Sequence, residues 1–271
     1  YVDEDNERKS SKVNKDAKYK SMSVRHQNLA KKKWWRWLMR REWGKKLLFI
    51  FFGKKKDTPK GFPSFVRKTD EERVENMPWV LNDNNKKWIA TEKLDGTSCT
   101  YALERKGKNK FEFYVCSRNV RQRDEKQSCY HDHNIYWDMA FKYDIERKLT
   151  EWLITHPDDR FVCIQGEGVG SVQGNPLKLK EDDLYVFNFI TPSGRLDSWT
   201  AKSICGAMGL KFVPIFGETT LPNDMEYMKL LADGVSLLNP KVIREGIVYR
   251  SLDGQESFKN VSREYLLKHG G

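Results

Sequence analysis

The sequence has no apolar run longer than Leu47 to Phe52, six residues. A helix that crosses a bilayer needs about 20, so a membrane-spanning protein is not expected. It has no apolar stretch behind a charged leader, so a secretory signal is not expected either. Its five cysteines, Cys99, Cys116, Cys129, Cys163 and Cys205, are odd in number, scattered and never spaced CxxC. That pattern supports neither a disulfide framework nor a zinc knuckle and fits a reducing, intracellular setting. Cys129-Tyr130-His131-Asp132-His133 gathers metal-ligand types but lacks a second ligand pair at finger spacing, and an exposed polar loop is expected. The glycines from Gly166 to Gly174 lack the lysine and threonine of a P-loop and read as turns around Glu167. No Ser-His-Asp arrangement and no internal repeat stand out. The first residue is Tyr1, not Met, which fits a chain processed, truncated or read from an interior point.

What the chain does have is positive charge, unevenly placed. Its 271 residues carry a net +11. Residues 1–60 hold 19 basic and 7 acidic residues, whereas 61–271 hold 30 and 31. A basic arm of +12 therefore precedes a near-neutral body long enough for one sizeable core. Basic arms most often meet polyanions. Residues 1–30 are polar and read as partly disordered. From Lys31 to Lys56, basic residues interleave with Trp34, Trp35, Trp37 and Trp43, and Trp34, Trp37 and Leu38 share a helical face. Three readings stand side by side: a helix docked on the body, an RNA-gripping helix, or an amphipathic membrane-surface segment. For RNA contact the candidates are Lys31, Lys32, Lys33, Trp34, Arg36, Arg40 and Arg41.

Gly53, Pro59, Gly61 and Pro63 mark a boundary. Thr69 and Glu72 form a capping-box pattern that predicts a helix over 70–77. Strands are predicted at 87–91, 98–104, 111–116, 161–165, 184–190 and 211–216. Helices are predicted over 135–154, 198–208 and 224–232. A hairpin pairs 246–251 with 256–261 across Asp253-Gly254, and Ser262 caps a last helix. Hairpins mixed with helices, without regular βαβ alternation, give an α+β class with largely antiparallel sheets.

Thr91-Glu92-Lys93-Leu94-Asp95-Gly96-Thr97-Ser98 lies between two predicted strands. An ordinary lysine is protonated at neutral pH and cannot attack an electrophile, but cationic neighbours or partial burial can free its lone pair. By itself Lys-x-Asp-Gly also fits an exposed hairpin turn, and the two readings are even. Ser117-Arg118-Asn119 ends a strand, Glu167 follows an apolar run, Phe187 sits within another, Glu245 opens the hairpin and Lys259 closes it. Singly, each is better explained as a surface cation, strand-end carboxylate, core aromatic or solvated lysine.

Taken in order, these segments resemble motifs I, Ia, III, IIIa, IV and V of the covalent lysyl-AMP nucleotidyltransferases. The wording is most similar to nick-sealing RNA ligases of the T4 RNA ligase 2 type, in the branch with an OB module in front. Gln165-Gly166-Glu167 through Gly174-Asn175-Pro176, Phe62-Pro63-Ser64-Phe65 and Thr69-Asp70-Glu71-Glu72-Arg73 share in the resemblance, which covers roughly 60–265. It implies a nucleotidyltransferase domain over 61–271 behind the arm. It also implies an ATP-dependent RNA ligase that uses Mg²⁺ or Mn²⁺, seals 3′-OH and 5′-phosphate ends in nicked duplexes, and works as a monomer. Lys93 would form the lysyl-AMP, Glu92 would read the adenine edge, and Phe187 would stack on the base. Glu167 would hold the ribose, and Arg118 with Asn119 would line the nucleotide site. Glu245 would hold the metal, Lys259 would contact the α-phosphate, and Asp95 would lie near the later attack by the 3′-hydroxyl. Where this family often has Lys-x-Lys in motif V, the first position here is Ser257. The alternatives are a DNA ligase or mRNA guanylyltransferase on the same scaffold, or an inactive RNA-binding relative.

Overall fold

A computed structural model describes residues 61–122 and 134–269. The basic arm with its candidate RNA contacts lies outside the described residues, as does the segment from Cys129 to His133. The strands are β1 (Glu72–Arg73), β2 (Lys87–Lys93), β3 (Thr97–Gly107), β4 (Lys110–Cys116), β5 (Phe161–Val169), β6 (Asp183–Thr191), β7 (Gly194–Arg195), β8 (Lys211–Phe212), β9 (Ile215–Thr220), β10 (Gly246–Ser251) and β11 (Ser257–Val261). The helices are α1 (Ile135–Lys142), α2 (Ile145–Thr155), α3 (Ser198–Ala207), α4 (Met225–Leu230) and α5 (Arg263–His269). None of them is long and apolar enough to cross a membrane.

Two sheets result. One runs β1-β11-β10-β2-β9; the other runs β4-β3-β5-β6-β7, with β8 added beside β6. Pairing is antiparallel except for β1 with β11 and β6 with β8, which gives the α+β class expected from the hairpins. Helices α1, α2 and α3 cover one face of the six-stranded sheet. Ile135, Met139, Ile145, Leu149, Leu153, Ala201 and Cys205 pack there on Tyr101, Leu103, Val162, Ile164, Leu184, Val186 and Phe189. Helix α4 sends Met228 into a second core with Trp88, Ala90, Tyr249 and Phe258 of the five-stranded sheet. A small apolar seam of Leu94, Val169, Leu177, Val213 and Val242 joins the inner sides.

The chain passes between the sheets at two places, and both matter for function. The first is Leu94 to Gly96: β2 and β3 are sequence neighbours but belong to different sheets, so Lys-Leu-Asp-Gly is no hairpin turn. A Cβ on Gly96 would stand 2.3 Å from the Gly168 carbonyl oxygen, so only glycine fits where this link presses on β5. The second is Val213-Pro214. Val213 N–H donates to Val186 of β6, and Pro214 accepts from Glu92 N–H of β2. The single strand predicted over 211–216 is therefore two, β8 and β9, split by a proline.

Two other expectations are corrected. The predicted helix over 70–77 is a strand residue pair followed by a 3₁₀ turn, Val74–Asn76. The Thr69 hydroxyl shares a 2.6 Å hydrogen bond with Ser98 rather than capping a helix, and Arg73 pairs in register with Lys259. Tertiary partners have outbid a local cap. The helix predicted over 135–154 breaks at Asp144, which takes a left-handed conformation (φ 49°). Six residues separate Met139 from Ile145, not a whole number of helical turns. The break lets both apolar stripes face the same sheet.

Candidate active site

Between the sheets lies a cleft of about 750 Å³, within the usual range for small-molecule sites. Its lining includes Glu92, Lys93, Asp95, Arg118, Asn119, Glu167, Phe187, Glu245 and Lys259. These come from β2, the β2–β3 link, the end of β4, β5, β6, the start of β10 and β11. The candidate residues scattered over 168 positions of sequence thus share one concavity.

Lys93 ends β2, and Gly246 of β10 lies opposite it in register. Glu245 immediately precedes Gly246, so the pairing brings amine and carboxylate together: Lys93 Nζ is 2.5 Å from Glu245 Oε1. Glu245 is anchored from behind. The Arg244 guanidinium donates to the Ala232 and Leu231 carbonyls after α4, at 2.9 and 3.0 Å. On the other side a Cβ on Gly246 would stand 2.2 Å from Asn260 O. Burial raises the Glu245 carboxyl above its ordinary range, with Lys93 pulling the other way. Lys259 is half-buried, and its ammonium is held below the usual lysine range, first by burial and then by the charge of Lys93, with Arg73 and Arg118 adding to it.

Glu92 is buried at 2% exposure. Its Oε2 accepts the Leu237 N–H at 2.9 Å, while Oε1 has no hydrogen-bond partner. Burial raises the Glu92 carboxyl above its ordinary range, opposed by hydrogen bonds from Ser236 and the Leu237 N–H. Phe187 faces the cleft by ordinary alternation, on the same side as Tyr185 and opposite the core-facing Leu184 and Val186. Gln165 pairs with Asn188 and Gly166 with Val186, which leaves Phe187 between them without a partner. The extra residue flips the alternation beyond it, so Phe189 joins Leu184 and Val186 in the core instead of following Phe187 to the cleft side. The Phe187 ring has the Arg250 guanidinium 5.6 Å from its centroid. Gly166 and Gly168 belong to β5 itself and are not loop turns. A Cβ on Gly166 would stand 2.7 Å from the Tyr185 carbonyl oxygen.

Arg118 lies at the rim, 58% exposed by side chain, paired with Asp70. Asn119 accepts from Lys68 Nζ at 2.9 Å. Ser257 does not leave a bare gap where a lysine was expected. Its hydroxyl donates to Glu71 Oε2 at 2.5 Å and accepts from Arg195 at 3.0 Å. Arg250, only 3% exposed, stands 3.6 Å from Glu71 and donates to Asn188 and Thr91. Burial lowers Arg250 to about 10. Arg250 and Tyr265 line the cleft without having been singled out by sequence reasoning, and Glu71 and Arg73, named only as part of a resembling segment and given no role, line it too. A signal for Arg250 existed: it is the one charged residue inside the apolar strand run 246–251.

Glu167 is pushed up to about 8, chiefly by burial, with Lys93 opposing and Glu245 and Asp95 reinforcing. Its folded value lies above its ordinary 4.5. The folded protein therefore binds more protons than the unfolded chain between those values, and stability falls as pH rises from about 4.5 to about 8. Glu245 adds with the same sign. Urea unfolding across that window is expected to show a decline that Glu167→Gln makes shallower by a few kcal/mol, about 5 at most, with Glu245 supplying the remainder. An unchanged slope in the variant would show that Glu167 is not held neutral.

No group of three or more His, Cys, Asp or Glu able to hold a metal ion occurs among the described residues. The family described as RNA ligase matches residues 86–268. The chain belongs to the RNA ligase family. Its fold agrees: Naegleria gruberi RNA ligase with PPi aligns at TM-score 0.65 and 31% identity, over 82% of this chain and 66% of that one. A mutant of the Naegleria gruberi enzyme with ATP and Mn gives TM-score 0.65, 31% identity and coverages of 82% and 67%. Another mutant with AMP and Mn gives TM-score 0.66 with the same identity and coverages. The chain thus spans just under two thirds of the length of the first of these RNA ligases. No curated protein sequence matches it.

Proposed function

We propose that this RNA ligase family member uses ATP to join a 3′-hydroxyl to a 5′-phosphate, through a lysyl-AMP and then an RNA-adenylate. The observation that carries the reading is Lys93 Nζ held inside the cleft, next to Glu245 and among Lys259, Arg73 and Arg118. In the first step the Lys93 nitrogen bonds to the α-phosphorus, the α–β bridging P–O bond breaks, and pyrophosphate leaves with the electron pair. The amine's protons pass to solvent or to a neighbouring carboxylate. The step needs in-line positioning and positive charge against phosphate oxygens, and Lys259 with two arginines, Arg73 and Arg118, is at hand.

The cleft residues fit a purine nucleotide. Glu92 lines the cleft and offers a carboxylate that would accept the amino group of adenine. Phe187 offers a ring for stacking, and Glu167, with its carboxyl protonated near neutrality, can both donate to and accept from ribose hydroxyls. A hard divalent cation fits too, because Mg²⁺ keeps several waters and needs only one or two protein carboxylates. Glu245 would hold it, and it would neutralise charge on the phosphate oxygens.

Nicked duplex RNA is the proposed substrate and a monomer the proposed form. The arm over 1–60 is proposed to hold RNA through Lys31, Lys32, Lys33, Trp34, Arg36, Arg40 and Arg41, supported by its charge of +12. The catalytic domain is proposed to span 61–271. The test is to incubate the chain with labelled ATP or GTP, then with nicked RNA or DNA duplexes, with and without residues 1–56. Label from ATP alone, sealing of RNA, and weaker low-salt RNA binding by the truncated chain are expected. Label from GTP, or sealing of DNA alone, would overturn the reading. Unchanged RNA binding after truncation would remove the arm's role.

A further inference from the structure

Helix α5 contributes no buried residue to any core, and its Leu267 is 87% exposed. It is nevertheless fixed firmly at its first turn. The buried Ser262 accepts the Tyr265 N–H at 3.1 Å and donates to Asp233 Oδ1 at 2.7 Å. The same Asp233 oxygen accepts the Arg263 N–H at 2.9 Å. This tether places Tyr265 and Leu266 of α5 at the cleft. Tyr265 lines it, donates its hydroxyl to Asp95 Oδ2, and stacks on His269 with ring centroids 4.4 Å apart. Burial and the Asp95 carboxylate both raise the proton affinity of the phenol, so it stays a donor across the working pH range.

Asp95 lies two residues after Lys93 in the link between the sheets. The backbone of that link is set by Gly96 against β5. The Asp95 carboxylate is oriented from the opposite side, by Tyr265. The phenol occupies one oxygen and leaves the other free.

We propose that Tyr265 is a positioning residue for the final sealing step, holding Asp95 so that its second oxygen can accept from the attacking RNA 3′-hydroxyl. This rests on the ligase reading above. In that step the 3′-oxygen bonds to the 5′-phosphorus of the RNA-adenylate. The phosphoanhydride to AMP breaks, AMP leaves with the electron pair, and the hydroxyl proton goes to Asp95. The first step does not involve this proton, so Tyr265 separates the two.

The test compares the wild-type chain with Tyr265→Phe in two assays: self-adenylylation with ATP, and sealing of a pre-adenylylated RNA nick. For Tyr265→Phe, kcat for sealing is expected to fall about tenfold, with KM for the nick and the adenylylation rate within about twofold of wild type. Unchanged sealing would overturn the proposal. So would an equal fall in both assays, which would mark Tyr265 as a general support of the nucleophile link. Circular dichroism melting of the variant identifies a folding defect, which would count as that same structural outcome. If the wild-type chain forms no adenylate at all, the ligase reading itself falls, and the wild-type control reports that separately.

Discussion

Lys93→Ala is expected to form no covalent adenylate when the protein is exposed to ATP, and intact mass will show the unmodified chain. Wild type under the same conditions is expected to gain one AMP. The lysine ends β2 with its side chain 24% exposed and its amine on Glu245, so truncation removes the nucleophile without opening the core. The strand itself is held by pairing to β9 and β10. The variant should therefore keep its fold and its nucleotide affinity while losing the chemistry. The structure supplies a rival amine against which to test this. Lys259 shares the cleft, and its proton affinity is lowered by burial and by Lys93. Lys259→Ala is expected to slow adenylate formation by about a hundredfold, as loss of one positioned cation does, but not to abolish it. An adduct that persists on Lys93→Ala and disappears from Lys259→Ala would reverse the assignment.

Glu245→Gln is expected to slow adenylate formation by about a hundredfold and to move the Mn²⁺ or Mg²⁺ requirement to higher concentration. Glutamine keeps the shape and one acceptor oxygen but removes the charge. Two functions depend on that charge: the hold on the Lys93 amine at 2.5 Å and the capacity to bind a hard cation. Single-turnover rates titrated with metal separate them. A lower rate with an unshifted metal requirement would show that Glu245 acts only on the lysine. A wild-type rate would remove it from the site altogether.

Much of the strand inventory was legible because alternation and turn residues are local signals. The hairpin across Asp253-Gly254 and the Ser262 cap stand where composition places them. The segments around Lys93, Glu167, Glu245 and Lys259 were singled out together only by their resemblance to a family's ordered motifs. What failed was local prediction where long-range partners prevail. Thr69 bonds Ser98, 29 residues away, instead of capping a helix. Ser257 looked like a lost cation, yet it belongs to a charged cluster in which Glu71 joins Arg195 and Arg250. Tyr265 carried no signal, because nothing in one sequence says that a tyrosine on an exposed helix will meet an aspartate 170 residues earlier.

By itself the amino-acid sequence determined the charge division between arm and body and the α+β class, while the candidate site residues came from a resemblance in the order of motifs. The charge division and the class are properties of composition, period and spacing, which each short segment carries within itself. The tertiary structure alone decided that Lys-Leu-Asp-Gly bridges two sheets, that a bulge returns Phe189 to the core beyond the cleft-facing Phe187, and which carboxylate each cation faces. Sheet pairing and register are set by contacts between segments far apart in the chain, and a single slipped residue would send every one of those side chains to the opposite face.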